Sequence, residues 1–279
     1  MQVFTASDGA RIAYRDSGRG TPLVLLHGLM AHAGFFEGQE ALAEQFRIIA
    51  IDLRGHGASA AEEGAPPAVE RMAADVAELA AALDLQGAIG VGWSLGATIL
   101  WHVLAGPAGD RFAAAVVIDM TPRVLNDRDW TLGLSSEICE ARALAIEEDY
   151  AGFTASAGAA IFAQPLDEKM RPLAAWAAGE FGRNDPAVTA ALWDSLVAED
   201  ARPLLARIEQ PTLVVHGANS HLYGSDTADH LVEALPNATA VQFERSGHSP
   251  HLEQPELFNR TLTEFAAKLP RVRETQTTN

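Results

Sequence analysis

The stretch from Gly92 to Gly96, of sequence Gly-Trp-Ser-Leu-Gly, is the part of this chain whose residue types and spacing most clearly suit chemistry. An apolar run leads into it, and Leu95 and Ile99 behind it are one helical turn apart. A serine on a sharp turn between strand and helix exposes its hydroxyl above the sheet, which is the arrangement of a nucleophile elbow. The Leu95 N–H, at the start of the helix, would meet the negative charge that forms when the serine attacks a carbonyl. The sequence therefore predicts Ser94 as a nucleophile.

A nucleophilic serine needs a base that removes its proton, and histidine is the usual choice. Of the nine histidines, His248 has the most suitable position, because it lies in a loop after the last predicted strand. His251 is the nearest alternative, although it is expected to begin the final helix. His56 lies between two glycines and is expected to serve a turn, and His27 is expected to brace the loop behind the active site. His248 is thus the predicted general base.

Composition limits the classes of function. The formal charge of −17 argues against nucleic acid and anionic membrane surfaces as partners. The histidine spacing does not predict a metal site, and neither a metal nor a cofactor is expected. Cys139 is the single cysteine, so an internal disulfide is excluded, and no signal peptide or membrane span is predicted. We expect a cytoplasmic enzyme that acts on a small molecule, with a homodimer left open as its assembly.

Strands and helices alternate along the chain, and this pattern predicts a mostly parallel sheet covered by helices on both faces. The segments predicted as strands are 3–5, 11–15, 23–26, 47–51, 88–91, 113–118, 212–216 and 239–243. From residue 120 to residue 203 the alternation stops, and a helical insertion is predicted in which Asp185 caps a helix that begins at Pro186. The expected domains are an α/β core of residues 1–119 and 204–270, a helical cap of residues 120–203, and a disordered tail of residues 271–279.

Four short motifs in a fixed order carry a resemblance to a known family. They are Leu26-His27-Gly28, the segment from Asp52 to Gly57, the elbow around Ser94, and Gly247-His248. Together, and with an insertion before Thr212, they resemble the α/β-hydrolase fold family over nearly the whole chain. The resemblance implies an eight-stranded, mostly parallel sheet with a helical cap. It also implies that the N–H of Leu29 forms an oxyanion hole with the N–H of Leu95, each donor contributing roughly 3 kcal/mol to transition-state stabilisation.

The acid of the catalytic triad is where this sequence departs from the family. Most members place the acid in the loop after the strand that follows the cap, and that position here holds Ser220, which cannot be a carboxylate. Some members place it one strand earlier, where this chain has Asp119 at the end of a predicted strand. Asp119 is therefore the predicted acid, and Asp226 or a dyad without an acid are the alternatives. Asp226 is more simply explained as a helix N-cap.

These residues predict a metal-free serine hydrolase that cleaves an ester, a thioester or a lactone. Ser94 would attack the carbonyl, His248 would act as base and then as acid, and Asp119 would orient the imidazole. The aromatic residues of the insertion predict a lipophilic or aromatic substrate. The expected pocket residues are Trp93, Met30, Trp130 and Trp176.

Three alternative functions stay open from the sequence. Hydrolysis of a carbon–carbon bond and a perhydrolase activity of the non-haem haloperoxidase type both use a site of this kind. A ligand-binding receptor built on a hydrolase fold would keep the pocket and lose turnover. The complete set of serine, base and oxyanion donors argues against the receptor.

Overall fold

The computed structural model describes residues 1–59 and 67–269, and eight strands form its centre. The strands are β1 (Gln2–Thr5), β2 (Arg11–Gly18), β3 (Thr21–Leu26), β4 (Phe46–Ile51), β5 (Ala88–Trp93), β6 (Phe112–Ile118), β7 (Thr212–Gly217) and β8 (Ala238–Phe243). The α-helices are α1 (Val69–Ala82), α2 (Leu95–Ala105), α3 (Ser136–Glu148), α4 (Tyr150–Ala160), α5 (Arg171–Phe181), α6 (Pro186–Ala198), α7 (Arg202–Leu205), α8 (Ser225–Ala234), α9 (Pro250–Glu253) and α10 (Pro255–Lys268). Two 3-10 segments span Ala33–Glu44 and Pro107–Arg111.

The sheet has the order β1-β2-β4-β3-β5-β6-β7-β8. Strand β2 pairs antiparallel with both β1 and β4, and the pairings from β4 through β8 are parallel. Every residue of β5 and of β7 is buried, because helices cover both faces of the sheet. The predicted fold class is confirmed, and the carboxyl ends of the parallel strands meet at one edge.

Two apolar clusters hold the sheet between its helical layers. On one face α1 and α2 pack with residues such as Val76 and Ile99. On the other face the first 3-10 segment and α10 pack with residues such as Phe35 and Phe258. Burial of side chains of this size stabilises the fold by roughly 1.5–3 kcal/mol each. The strand ends that carry the candidate site are therefore fixed by the core beneath them.

Helices α3 to α6 lie between β6 and β7, where the sequence predicts a cap. As predicted, α6 begins at Pro186, and Asp185 accepts hydrogen bonds from the first-turn N–H groups. The Asn184 side chain donates to the Met30 carbonyl at 2.7 Å and so joins this helical segment to the loop after β3. The boundaries of core and cap stay a prediction. The predicted tail, residues 271–279, lies outside the described residues.

The segment Ala33–Glu44 is a 3-10 helix with a kink at Phe36. It contains Gly34 and Gly38, and glycine lowers the stability of a regular α-helix. Within the described ranges, no helix is both long enough and apolar enough to cross a bilayer.

Candidate active site

Ser94 stands at the turn between β5 and α2, in a conformation that few non-glycine residues adopt. Its φ is 53° and its ψ is −122°, and its N–H donates to the Ile118 carbonyl at 3.0 Å. A Cβ at Gly92 would lie 2.5 Å from the Gly96 carbonyl oxygen, and a Cβ at Gly96 would overlap the Leu26 carbonyl. The two glycines therefore permit the close backbone approach that this strained turn requires.

His248 lies in the loop between β8 and α9, directly beside Asp119. Its Nδ1 is 2.7 Å from Asp119 Oδ2, and both side chains are almost fully buried. The Trp93 indole N–H donates to the His248 carbonyl at 2.9 Å, which fixes the loop against β5. Because an ionised carboxylate only accepts hydrogen bonds, Nδ1 carries the proton and Nε2 is left as the basic nitrogen.

Asp119 follows β6 and receives hydrogen bonds from two further groups. The Ser220 hydroxyl donates to Oδ2 at 2.7 Å, and the Gly217 N–H donates to Oδ1 at 3.3 Å. The residue has a φ of 47°, a value that few non-glycine residues adopt. Ser220, at the position where the family usually has its acid, is thus a donor to the carboxylate.

Asp226, the alternative acid, lies elsewhere. It is exposed in the first turn of α8, whose N-cap is Gly224. The expectation that Asp226 is an N-cap is therefore wrong, because the helix begins two residues earlier than the sequence pattern indicated. Asp119 is the carboxylate that the structure places against His248.

The loop after β3 lies beside the elbow that carries Ser94. A Cβ at Gly28 would lie 3.2 Å from the Ser94 Cβ, so this loop and the elbow are in close contact. Within residues 1–59 and 67–269, neither the Leu29 N–H nor the Leu95 N–H has a hydrogen-bond acceptor. The described part of the chain therefore occupies neither of the two predicted oxyanion donors.

Two buried histidines hold the loop after β3. His27 Nδ1 contacts the Gly28 carbonyl at 2.8 Å, and its Nε2 accepts the Leu53 N–H at 2.9 Å. His56 Nε2 accepts the Met30 N–H at 3.1 Å. His56 therefore braces this loop in addition to serving a turn.

Burial keeps these imidazoles neutral. Desolvation lowers the pKa of His56 to about 4, although the hydrogen bonds to the Arg54 and Leu53 backbone oppose the shift. Burial lowers the pKa of His27 well below its usual value, and the nearby His56 adds to the effect. His251, behind Trp93, has its pKa lowered to about 3 by burial and by the neighbouring His248. Among the described residues, no group of three or more His, Cys, Asp or Glu side chains is placed to hold a metal ion.

A cavity of about 290 Å³ lies between the strand ends and the helical segment, and Ser94 and His248 both line it. Leu29, Met30 and Trp93 contribute from the core side. Helices α4 to α6 and the loop before α8 contribute a mostly apolar wall. Its larger members are Phe153, Ile161, Phe181, Trp193, Leu196, Leu222 and Tyr223. Such a lining suits a small, largely apolar ligand.

Two of the four predicted pocket residues, Trp130 and Trp176, do not line the cavity. Trp130 packs on His230, with ring centroids 4.9 Å apart, and its indole N–H donates to the Arg123 carbonyl at 2.8 Å. Trp176 packs on Phe35, with ring centroids 4.5 Å apart. Aromatic enrichment in the insertion indicates an apolar surface, but it does not tell which rings face the cavity.

Sequence reasoning missed three polar residues of the cavity wall, which are Ser156 and, with larger side chains, Arg142 and Tyr223. Arg142 has one sequence signal, since it is the single basic residue of α3, a helix with four glutamates. Tyr223 has no such signal, because it lies in an irregular loop before α8.

Comparisons with known proteins cover nearly the whole chain. The model of the alpha/beta hydrolase family matches residues 23–261. A pimeloyl-(acyl-carrier protein) methyl ester esterase of Nitrosomonas europaea is 31% identical over 254 residues, which span 89% of this chain and 97% of that protein. A non-heme chloroperoxidase of Streptomyces lividans is 30% identical, with 95% of this chain and 99% of that protein covered.

A solved structure is similar over the same extent. An esterase from Exiguobacterium antarcticum has a TM-score of 0.89 and 26% identity, with 95% of this chain and 99% of that chain covered. The likeness therefore includes the helices between β6 and β7 as well as the sheet.

Proposed function

The chain belongs to the alpha/beta hydrolase family, and we propose that it hydrolyses a carboxylic ester through an acyl-enzyme on Ser94. One observation carries the proposal. His248, whose Nδ1 is 2.7 Å from the buried Asp119 carboxylate, lines the same cavity as the strained Ser94. A protein that only binds a ligand would need neither the strained backbone at Ser94 nor the buried carboxylate of Asp119.

In the first half of the proposed reaction, the Ser94 hydroxyl attacks the ester carbonyl while His248 Nε2 takes its proton. The imidazolium that forms is stabilised by the Asp119 carboxylate. The carbonyl oxygen becomes negative and accepts hydrogen bonds from the Leu29 and Leu95 N–H groups. Collapse of this intermediate breaks the acyl–oxygen bond, and His248 returns the proton to the departing alcohol.

In the second half, water attacks the acyl group on Ser94. His248 again accepts a proton, the same two N–H groups receive the oxyanion, and Ser94 leaves as the free hydroxyl. The products are a carboxylic acid and an alcohol. The mostly apolar wall of the cavity supports an acyl group that is small and largely lipophilic.

Perhydrolysis is a second candidate, favoured by the likeness to the Streptomyces lividans chloroperoxidase. Hydrogen peroxide would replace water in the second half of the reaction, and a peracid would leave in place of the acid. Both activities need the same acyl-enzyme, so loss of the Ser94 hydroxyl should abolish both. Formation of peracid from ester and peroxide, compared with formation of acid, measures their ratio.

The test of the proposal is a panel of p-nitrophenyl esters of rising acyl length, with wild type, Ser94→Ala and a control. Ser94→Ala removes only the hydroxyl, and we expect a loss of roughly 10⁵- to 10⁶-fold in kcat. Ser225→Ala, an exposed serine on α8, is the matched control and should keep full activity. Appreciable activity of Ser94→Ala would sink the nucleophile assignment, and lack of labelling of Ser94 by an organophosphonate probe would favour a receptor.

A further inference from the structure

One arginine lies in the wall of the cavity that contains Ser94. Arg142, on α3, is half-buried, and it is the one side chain with a permanent charge among the described residues of that wall. The surrounding lining is mostly aliphatic and aromatic. A charge in such surroundings is unfavourable unless an opposite charge or a set of hydrogen bonds compensates it.

Arg142 has no such compensation from the described part of the chain. Among the ion pairs and hydrogen bonds found within residues 1–59 and 67–269, none includes its guanidinium. By contrast, an aspartate binds Arg54 at 2.7 Å and another binds Arg202 at 2.6 Å. The protein has 37 acidic residues and a formal charge of −17. A half-buried cation in an apolar cavity wall, without a carboxylate partner, calls for a ligand that supplies the counter-charge.

The guanidinium is also held in place. Its central carbon lies 5.5 Å from the centroid of the Trp193 ring, and the Trp193 indole N–H is bound to the Cys139 carbonyl at 3.2 Å. Stacking on an aromatic ring fixes the plane of the guanidinium and leaves its N–H groups at the edge for a second partner. Arg142 is therefore oriented before any ligand arrives.

Tyr223 provides a second donor in the cavity wall that holds Arg142 and His248. Its ring centroid is 6.0 Å from that of His248, its side chain is buried in the cavity wall, and its hydroxyl has no partner among the described residues. Burial raises the pKa of Tyr223, and the nearby positive charge of Arg142 acts against that rise. The phenol thus stays protonated and can donate to an anion beside Arg142.

Resting on the ester hydrolysis proposed above, we infer that the substrate carries a carboxylate at the end remote from its scissile ester, bound by Arg142 and Tyr223. The planar guanidinium matches a carboxylate with two parallel hydrogen bonds. A single arginine balances one negative charge, which favours a carboxylate over a phosphate monoester of about −1.5 to −2. The cavity of about 290 Å³ limits the chain between the two groups to a few methylenes.

The test compares anionic esters with neutral esters of similar length. Monomethyl adipate and dimethyl adipate place the carboxylate on the acyl side, and 4-acetoxybutanoate and butyl acetate place it on the alcohol side. We expect the wild type to prefer the anionic ester in one of the two pairs. Arg142→Gln should lower kcat/KM for that ester by about 10- to 100-fold, mainly through KM, and should change the neutral ester by less than about threefold. Arg142→Lys should regain part of the loss.

Arg171→Gln is the matched control, since it removes the same charge from an exposed position on α5. It should leave both kinds of ester unaffected. No preference for either anionic ester in the wild type would overturn the inference. An equal loss on anionic and neutral esters in Arg142→Gln would also overturn it, because it would assign a structural role to Arg142.

A binding measurement separates this inference from the proposed reaction. Calorimetry with Ser94→Ala, which cannot turn over, should detect adipate, and the double variant with Arg142→Gln should lose that binding at least tenfold. Adipate binding that depends on Arg142, in a protein whose Ser94 reacts with no ester or phosphonate, would sustain the carboxylate site and refute the hydrolysis. Tighter binding of butylphosphonate than of pentanoate would show that the site takes a phosphoryl group and would refute the carboxylate.

Discussion

The loops after β6 and β7 are neighbours at one edge of the sheet, yet they bring different chemistry to the same imidazole. The β6 loop places the Asp119 carboxylate 2.7 Å from His248 Nδ1. The β7 loop places an N–H, from Gly217, and a hydroxyl, from Ser220, on that carboxylate. One loop supplies the negative charge, and the other supplies the hydrogen bonds that hold it.

This difference indicates that a carboxylate is needed at one place beside the imidazole, and that more than one strand end can supply it. Since β6 and β7 are adjacent and parallel, their ends lie next to each other. A Cβ at Gly217 would overlap the Gly247 carbonyl, so the β7 loop also touches the loop of His248. Either loop is therefore within reach of the imidazole, and the sequence decides which one carries the carboxylate.

Removing the carboxylate from the β6 loop is the strongest test of the comparison. Asp119→Asn keeps the size of the side chain but cannot stabilise the imidazolium, and a comparable change in a serine protease triad costs about 10⁴-fold in kcat. We expect a loss of that order, with little change in the thermal midpoint, because asparagine tolerates a positive φ. Steady-state kinetics on a p-nitrophenyl ester and a thermal melt measure the two effects.

Asp226→Asn is the matched control for that variant. Asp226 is exposed in the first turn of α8, and its neutralisation should alter kcat by less than about twofold. If Asp226→Asn proved the more damaging of the two, the acid would have to be assigned to the region after β7. Small effects from both variants would point to a Ser94–His248 dyad.

Moving the carboxylate to the β7 loop should restore part of the lost activity. The Ser220 hydroxyl is 2.7 Å from the position of the Asp119 oxygen, so an aspartate at residue 220 can reach the same imidazole. In Asp119→Asn/Ser220→Asp we expect kcat to rise about 10- to 100-fold above that of Asp119→Asn, short of wild type because the new carboxylate lacks the Ser220 donor. If a folded double variant recovered no activity, a carboxylate on the β7 loop would be unable to replace the one on the β6 loop beside His248.

The loop after β3 offers a second contrast with the β6 and β7 loops. Two neutral imidazoles, His27 and His56, hold the loop after β3 by hydrogen bonds, whereas the β6 and β7 loops are joined by hydrogen bonds to the Asp119 carboxylate. The pKa of His56 is about 4 in the folded protein, owing to burial, against about 6.5 in an unfolded chain. Between these values the unfolded state binds a proton that the folded state does not, so stability falls as the pH falls from about 6.5 toward 4. Above about 6.5 both states are neutral, and this group makes no difference.

Thermal midpoints measured from pH 7 to pH 4.5 check this expectation. The midpoint of the wild type should drop over that interval, and the drop should be smaller in His56→Gln. His221→Gln, which changes an exposed histidine, is the control and should follow the wild type. A pH dependence identical in wild type and His56→Gln would exclude His56 as a source of the acid sensitivity.

Local patterns in the sequence were enough for the fold and for the positions of the main groups. Apolar runs predicted the strands, and the parallel pairing confirmed for β3 to β8 brings their carboxyl ends to one edge of the sheet. Ser94, His248 and Asp119 could be chosen because each follows a predicted strand. Their catalytic roles stay a prediction that the variants above address.

The rest of the site depends on side-chain direction, which local patterns do not encode. Trp130, Trp176 and Trp193 look alike in the sequence, but Trp193 alone of the three lines the cavity among the described residues. Its helix, α6, buries the side that carries Leu192, Trp193 and Leu196, and the position of the Trp193 ring at the cavity depends on its contact with α3. The bond from Ser220 to Asp119 joins residues 101 positions apart, so the sequence could exclude Ser220 as an acid but could not identify it as a donor.

The smallest expected effect comes from the β7 loop itself, through Ser220→Ala. The variant removes one of the hydrogen bonds to the Asp119 carboxylate, while the Gly217 N–H and His248 remain bound to it. A hydrogen bond to a charged group contributes roughly 1.5–3 kcal/mol, and only the part that differs between ground state and transition state alters the rate. We therefore expect kcat to fall about threefold to tenfold. KM should be unchanged, because Ser220 is not among the described residues that line the cavity.

Ser225→Ala, a few residues further on and exposed, is the control for Ser220→Ala and should leave both kcat and KM as they are. An increase in KM would place Ser220 in contact with substrate, and a loss as large as that of Asp119→Asn would show that the carboxylate cannot keep its position without the β7 loop.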